Sequence, residues 1–80
     1  MSKRLEAMRR NPQSDWKIAD VETLCKEFGI SCSPHRGGSS HYKVNHASQT
    51  KILTIPFKRP IKPVYIRNLV KFIDAVRNLQ

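Results

Sequence analysis

Apolar side chains recur with a regular period in several stretches of this chain. Val21, Leu24, Cys25 and Phe28 are spaced i, i+3, i+4, i+7, which predicts an amphipathic helix, and Gly29 supplies its stop. The helix is expected to end near Phe28, whereas Ser14, Asp15 and Asp20 each suit its N-cap, and Trp16 and Ile18 fit either register. Further on the period shortens to two. Ile30-Ser31-Cys32-Ser33 alternates apolar with polar until Pro34 and the run Arg36-Gly37-Gly38-Ser39-Ser40 break it. His41-Tyr42-Lys43-Val44-Asn45 alternates again, with Tyr42 and Val44 on one face and His41, Lys43 and Asn45 on the other, and Lys51-Ile52-Leu53-Thr54-Ile55 is a third strand stopped by Pro56. An antiparallel meander follows from three such strands in sequence. Pro63 suits the first turn of a closing helix, where its missing N–H would go unpaired in any case. That helix carries Ile66, Leu69, Val70, Ile73 and Val76 on one stripe, widened by Tyr65, Phe72 and Leu79 beyond what one sheet face covers. The excess is expected to serve an interface.

The fold class is therefore α+β: a helix, a three-stranded antiparallel sheet and a second helix, with both helices on one sheet face and the other face open. Residues 1 to 14 end in Asn11-Pro12-Gln13-Ser14, a cluster of breakers, and read as a flexible basic N-terminal arm; residues 15 to 80 form the domain. One domain is all that 80 residues support, because a chain of this size buries only about 60–65% of its unfolded surface. Hydrophobic content of 39% and charged content of 26% fit a folded chain. No apolar run approaches the roughly 18 residues of a membrane span, and residues 1 to 10 lack the apolar core of a secretory signal, so a cytoplasmic location without membrane contact is expected. Cys25 and Cys32 fit neither a redox motif nor a zinc module and are expected to be reduced, Cys25 as a small core side chain.

Charge changes the picture. Lys and Arg number 15 against six Asp and Glu, a formal charge of +9, and no carboxylate occurs between residues 28 and 73. Within that stretch lie Arg36, Lys43, Lys51, Lys58, Arg59, Lys62, Arg67 and Lys71. A solubilising surface normally mixes its signs, so such a surface points to a polyanion, nucleic acid before an acidic protein. His41 falls on the polar face of its strand, directly after a loop in which Gly37 and Gly38 permit close approach to a ligand. Ser39 and Ser40, with the loop N–H groups, can hydrogen-bond phosphate oxygens, and Lys43 and Arg36 can neutralise them. This combination reads as a phosphate pocket with a proton carrier. Zinc is not expected from Cys32, His35, His41 and His46, since strand parity separates His41 from His46 and no Asp or Glu is nearby. Without carboxylates a two-metal nuclease is equally disfavoured. No cofactor or metal is expected.

Several segments together resemble the HicA toxins, small mRNA interferases of bacterial and archaeal toxin–antitoxin pairs. They are Lys26-Glu27-Phe28-Gly29-Ile30, Gly38-Ser39-Ser40-His41-Tyr42, Ile52-Leu53-Thr54-Ile55-Pro56 and Ile66-Arg67-Asn68-Leu69-Val70, spanning about residues 18 to 76. The resemblance implies a fold like the double-stranded-RNA-binding domain, an endoribonuclease of a type II toxin–antitoxin system, a catalytic role for His41, and a HicB-like antitoxin covering the active face of a monomeric toxin. The chain departs from the family's Gly-Ser-His motif in reading Ser39-Ser40-His41, with Gly38 one place earlier, and has Lys58 where many members carry a histidine.

Metal-independent RNA cleavage needs a base for the ribose 2′-OH, an acid for the leaving 5′-oxygen and cations for the charge that builds on phosphorus. His41 is expected to be the acid or base, because imidazole ordinarily titrates in the physiological range. Arg36, Lys43 and Lys58 are the expected charge stabilisers, Ser40 an orienting donor, and Gly38 and Ser39 part of the RNA-binding loop. His35 and water both remain candidates for the second proton carrier. Two other readings share these features: a nucleic-acid-binding module without chemistry, and an interaction subunit docking an acidic protein.

Overall fold

A computed structural model of the chain describes residues 2–34 and 40–78. Among the described residues the chain forms α1 (Lys3–Arg10), α2 (Ile18–Glu27), β1 (Ser31–Pro34), β2 (His41–Asn45), β3 (Leu53–Pro56) and α3 (Pro63–Asn78). The strands form one antiparallel sheet in the order β1-β2-β3, with Cys32 opposite Val44, Lys43 opposite Thr54 and His41 opposite Pro56. This is the α+β layout that the periodicity predicts. The strand ends shift slightly. Ile30 is drawn into the end of α2 instead of opening β1, and β3 begins at Leu53 and includes Pro56, which an edge strand tolerates because it can leave a missing N–H unpaired.

Local chemistry explains the helix ends. Ile18 opens α2 because Asp20 reaches back to accept from the Lys17 N–H at 3.0 Å, so Asp20 stabilises the first turn from inside rather than capping it. At the other end Gly29 takes a φ of +67°. Its N–H donates to the Lys26 carbonyl at 3.3 Å, and the Ile30 N–H donates to the Cys25 carbonyl at 2.9 Å. That pair is a Schellman ending, and only glycine occupies its left-handed position cheaply. Ile30 is then turned into the core, 5% exposed.

The core lies between the helices and the inner sheet face, where Val21, Leu24, Cys25, Val44, Ile55, Ile61, Ile66, Leu69, Ile73 and Val76 are buried in one cluster. Cys25 and Cys32 are free thiols as expected, and Cys25 is buried. The neighbouring Cys32 thiol together with burial pushes the Cys25 thiol up, and Cys25 in turn lowers Cys32.

The N-terminal segment is not a flexible arm. Residues 3–10 form α1, whose Leu5 and Met8 belong to the same core cluster at 1% and 0% exposure. The Ser2 hydroxyl caps it, accepting from the Leu5 N–H at 3.1 Å and donating to Glu27 Oε1 at 2.7 Å. Arg4 donates to Glu27 at 2.8 Å, and Arg9 donates bidentately to Asp74 at 2.7 and 2.9 Å. These pairs are about a third exposed and contribute on the order of 0.2–1 kcal/mol each, so they orient α1 while Leu5 and Met8 hold it. The helix packs on α3, which accounts for part of the width of the α3 stripe. Tyr65 and Phe72 pack at the edge of the core, and Leu79 lies outside the described residues.

Hydrogen bonding from Arg9 holds the Asp74 carboxyl below its usual range, and that from Ser2 and then Arg4 does the same for Glu27. Groups lowered in this way stabilise the fold fully above ordinary carboxylate values, about 3.9–4.3, and lose that contribution as pH falls through the lowered ones. The unfolding midpoint should therefore drop as pH is taken below about 4, and Asp74→Asn should blunt part of the drop in a thermal titration. An equal acid loss in wild type and variant would remove Asp74 from this account.

Candidate nucleic-acid interface

Alternation along β2 sorts its side chains between two environments. Val44 is fully buried, and on the opposite face His41, Lys43 and Asn45 are half-buried. The register adds Ser31 and Ser33 from β1 and Thr54 from β3 to that outer face, so Lys43 sits between Ser33 and Thr54, and Asn45 beside Ser31. All three flanking side chains are exposed hydroxyls. Among the described residues the face is thus polar, but not uniformly basic. The cations of the carboxylate-free stretch divide between surfaces: Lys51 and Lys71 line a separate cleft between the β2–β3 turn and α3, and Arg67 is exposed on α3.

At the end of the sheet the chain builds a more concentrated site. His41 is the Cα partner of Pro56, and the Ser40 carbonyl accepts from the Phe57 N–H at 3.0 Å, which fastens the start of β2 to the residue after β3. Phe57 meets Tyr42 edge-to-face at 5.8 Å between ring centres. Beyond it, Pro56, Lys58, Arg59, Pro60, Lys62 and Tyr65 line a cleft of about 400 Å³. Its wall is held from behind. Ile61 is buried, its N–H donates to the Trp16 carbonyl at 3.0 Å, and Trp16 Nε1 donates to the Asn11 carbonyl at 2.8 Å. Arg59 donates to both oxygens of Asp15 at 3.2 and 2.8 Å, and these bonds hold the Asp15 carboxyl below its ordinary range.

Comparison with protein-family models, with curated proteins and with solved structures finds no match. His41, Lys43 and Ser40 lie together at the start of β2, and Lys58 stands in the cleft that begins at the partner residue of His41. Arg36, Gly38, Ser39 and the alternative proton carrier His35 lie outside the described residues. His46 has a local role: its Nδ1 accepts from the Ser48 N–H at 3.1 Å and contacts the Ser48 hydroxyl at 2.8 Å, an arrangement that shapes the β2–β3 turn. Among the described residues no three of His, Cys, Asp and Glu gather closely enough to hold a metal ion, and no helix is long and apolar enough to cross a membrane.

Arg59, Lys62 and Tyr65 were not legible as parts of a site. The signal was the Pro60 and Pro63 pair around Ile61 and Lys62, which breaks regular structure and so exposes the cations on either side. Nothing in the spacing indicates that the first turn of α3 would bring Tyr65 against them.

Proposed function

We propose that the chain is a metal-independent endoribonuclease of the HicA kind, the mRNA-cleaving toxin of a toxin–antitoxin pair. The observation that carries this reading is the place of His41, on the polar outer face of β2 with Lys43 and across the ladder from a cleft lined by Lys58, Arg59 and Lys62. A proton carrier flanked by cations is what in-line attack of a ribose 2′-OH on the adjacent phosphorus requires. In this scheme His41 moves one proton, Lys43 and Lys58 offset the charge on the phosphorane, and Ser40 orients a phosphate oxygen. Arg36, Gly38 and Ser39, which precede them in sequence, belong to the same proposed RNA-binding set. A HicB-like antitoxin would inhibit by covering the same face. A fold akin to the double-stranded-RNA-binding domain belongs to the same proposal.

Product ends test the scheme. Attack by the 2′-OH leaves a 2′,3′-cyclic phosphate and a 5′-hydroxyl, whereas a metal-activated water normally leaves a 5′-phosphate and a free 3′-hydroxyl. Cleavage of an RNA oligonucleotide by the purified chain should persist in EDTA, give cyclic-phosphate ends by mass spectrometry, and fail on a strand carrying 2′-deoxyribose at the cut. Cutting of that deoxy strand would overturn the mechanism.

A further inference from the structure

The cleft beyond β3 has two kinds of wall. Pro56, Pro60 and the ring of Tyr65 supply apolar surface, and Lys58, Arg59 and Lys62 supply positive charge. At about 400 Å³ it falls within the roughly 300–1,000 Å³ typical of small-ligand sites. No carboxylate lines it. Asp15 pairs with Arg59 at 2.8 Å at the surface, while Lys58 and Lys62 are exposed and form none of the ion pairs found among the described residues. An apolar slot with cations at its rim matches a nucleotide, whose flat base stacks on aromatic and proline rings and whose phosphate pairs with ammonium groups. An acidic peptide would use the charge but leave the slot unfilled.

We propose that this cleft is a nucleotide subsite, holding the base and phosphate of the residue that adjoins the cut in the RNA strand. The proposal rests on the RNA-cleaving reading for its biological role, but the cleft's ligand chemistry is testable without cleavage. Pro56 lines the cleft and pairs with His41 across the ladder, so a strand whose scissile phosphate lies at His41 reaches the cleft with its neighbouring nucleotide. Stacking tolerates every base, so the subsite selects for a nucleotide rather than for a sequence. Lys58 and Lys62 act here as adjustable cations, Arg59 as one shared with Asp15, and Tyr65 as the stacking platform.

The test is a titration of the isotope-labelled full chain with adenosine 5′-monophosphate and, separately, with inorganic phosphate, followed by amide chemical shifts. Saturable shifts at Lys58, Arg59, Lys62 and Tyr65 are expected, with phosphate binding about tenfold more weakly than the nucleotide. Lys62→Ala, at an exposed position, should weaken both ligands several-fold. Tyr65→Leu should bring nucleotide affinity down to that of phosphate and leave phosphate affinity unchanged; a dispersed amide spectrum confirms that the variant is folded. Saturable nucleotide shifts confined to another surface, absent shifts, or equal affinity for nucleotide and phosphate in wild type would overturn the proposal. Cleavage of RNA by a chain that shows no nucleotide shifts would reject the subsite alone. Nucleotide binding in the cleft of a chain that cuts no RNA would reject the nuclease reading and keep the subsite.

Discussion

RNA cleavage by the His41→Ala variant should fall about 10²–10⁴-fold, the range that loss of a positioned acid or base produces. The side chain lies on the polar outer face of β2, half-buried and outside the apolar cluster, so the substitution removes the imidazole without opening a core cavity. The measurement is the single-turnover cleavage rate of purified wild type and variant, with unfolding midpoints taken in parallel. Bacterial growth arrest should disappear in the variant at equal expression. The wild-type pH profile then gives the role: a rate rising with pH marks His41 as the base, and a falling one marks it as the acid. A variant that cleaves at the wild-type rate would move the chemistry away from β2.

Met8→Ala should be strongly destabilising although it lies remote from the site. Met8 is fully buried in the cluster it shares with Leu5, and removing such a side chain costs about 2–5 kcal/mol. Domains of this size have about 5–15 kcal/mol in total. At roughly 4–8 °C per kcal/mol, the unfolding midpoint should fall by about 10 °C or more. A loss under about 1 kcal/mol in urea unfolding would show that the core closes without α1. Because the same region reaches the cleft through Asn11, Trp16 and Ile61, the variant should also weaken binding there before it unfolds.

What could be read in the sequence follows the strength of each periodic signal. The α3 stripe repeats over about three turns, and Ile66, Leu69, Val70, Ile73 and Val76 are all buried. On β2, strand parity separated the polar face of His41 and Lys43 from buried Val44, with half-buried Tyr42 on the Val44 side, and Gly29 ended α2 as a glycine after a helical stripe should. By contrast α1 offers only Leu5 and Met8, one turn apart and surrounded by Lys3, Arg4, Arg9 and Arg10, so a charged arm was the simpler reading of residues 1 to 14. Its partners, Glu27 and Asp74, lie far away in sequence. The cleft escaped for the same reason, since Tyr65 and Pro56 meet only after the chain has turned between β3 and α3.

The pairing of Arg9 with Asp74 joins positions 65 residues apart. During synthesis at about 5–20 residues per second, α1 therefore waits roughly 3–13 s for the helix it packs against. Through that interval Leu5 and Met8 face water, and the meander emerges before α3 can cover its inner side. The core thus closes only when α3 arrives, and a chain stopped short of it would expose apolar surface suited to chaperones and proteases. On the RNA-cleaving proposal, such an order of assembly would withhold a supported cleft from every unfinished copy.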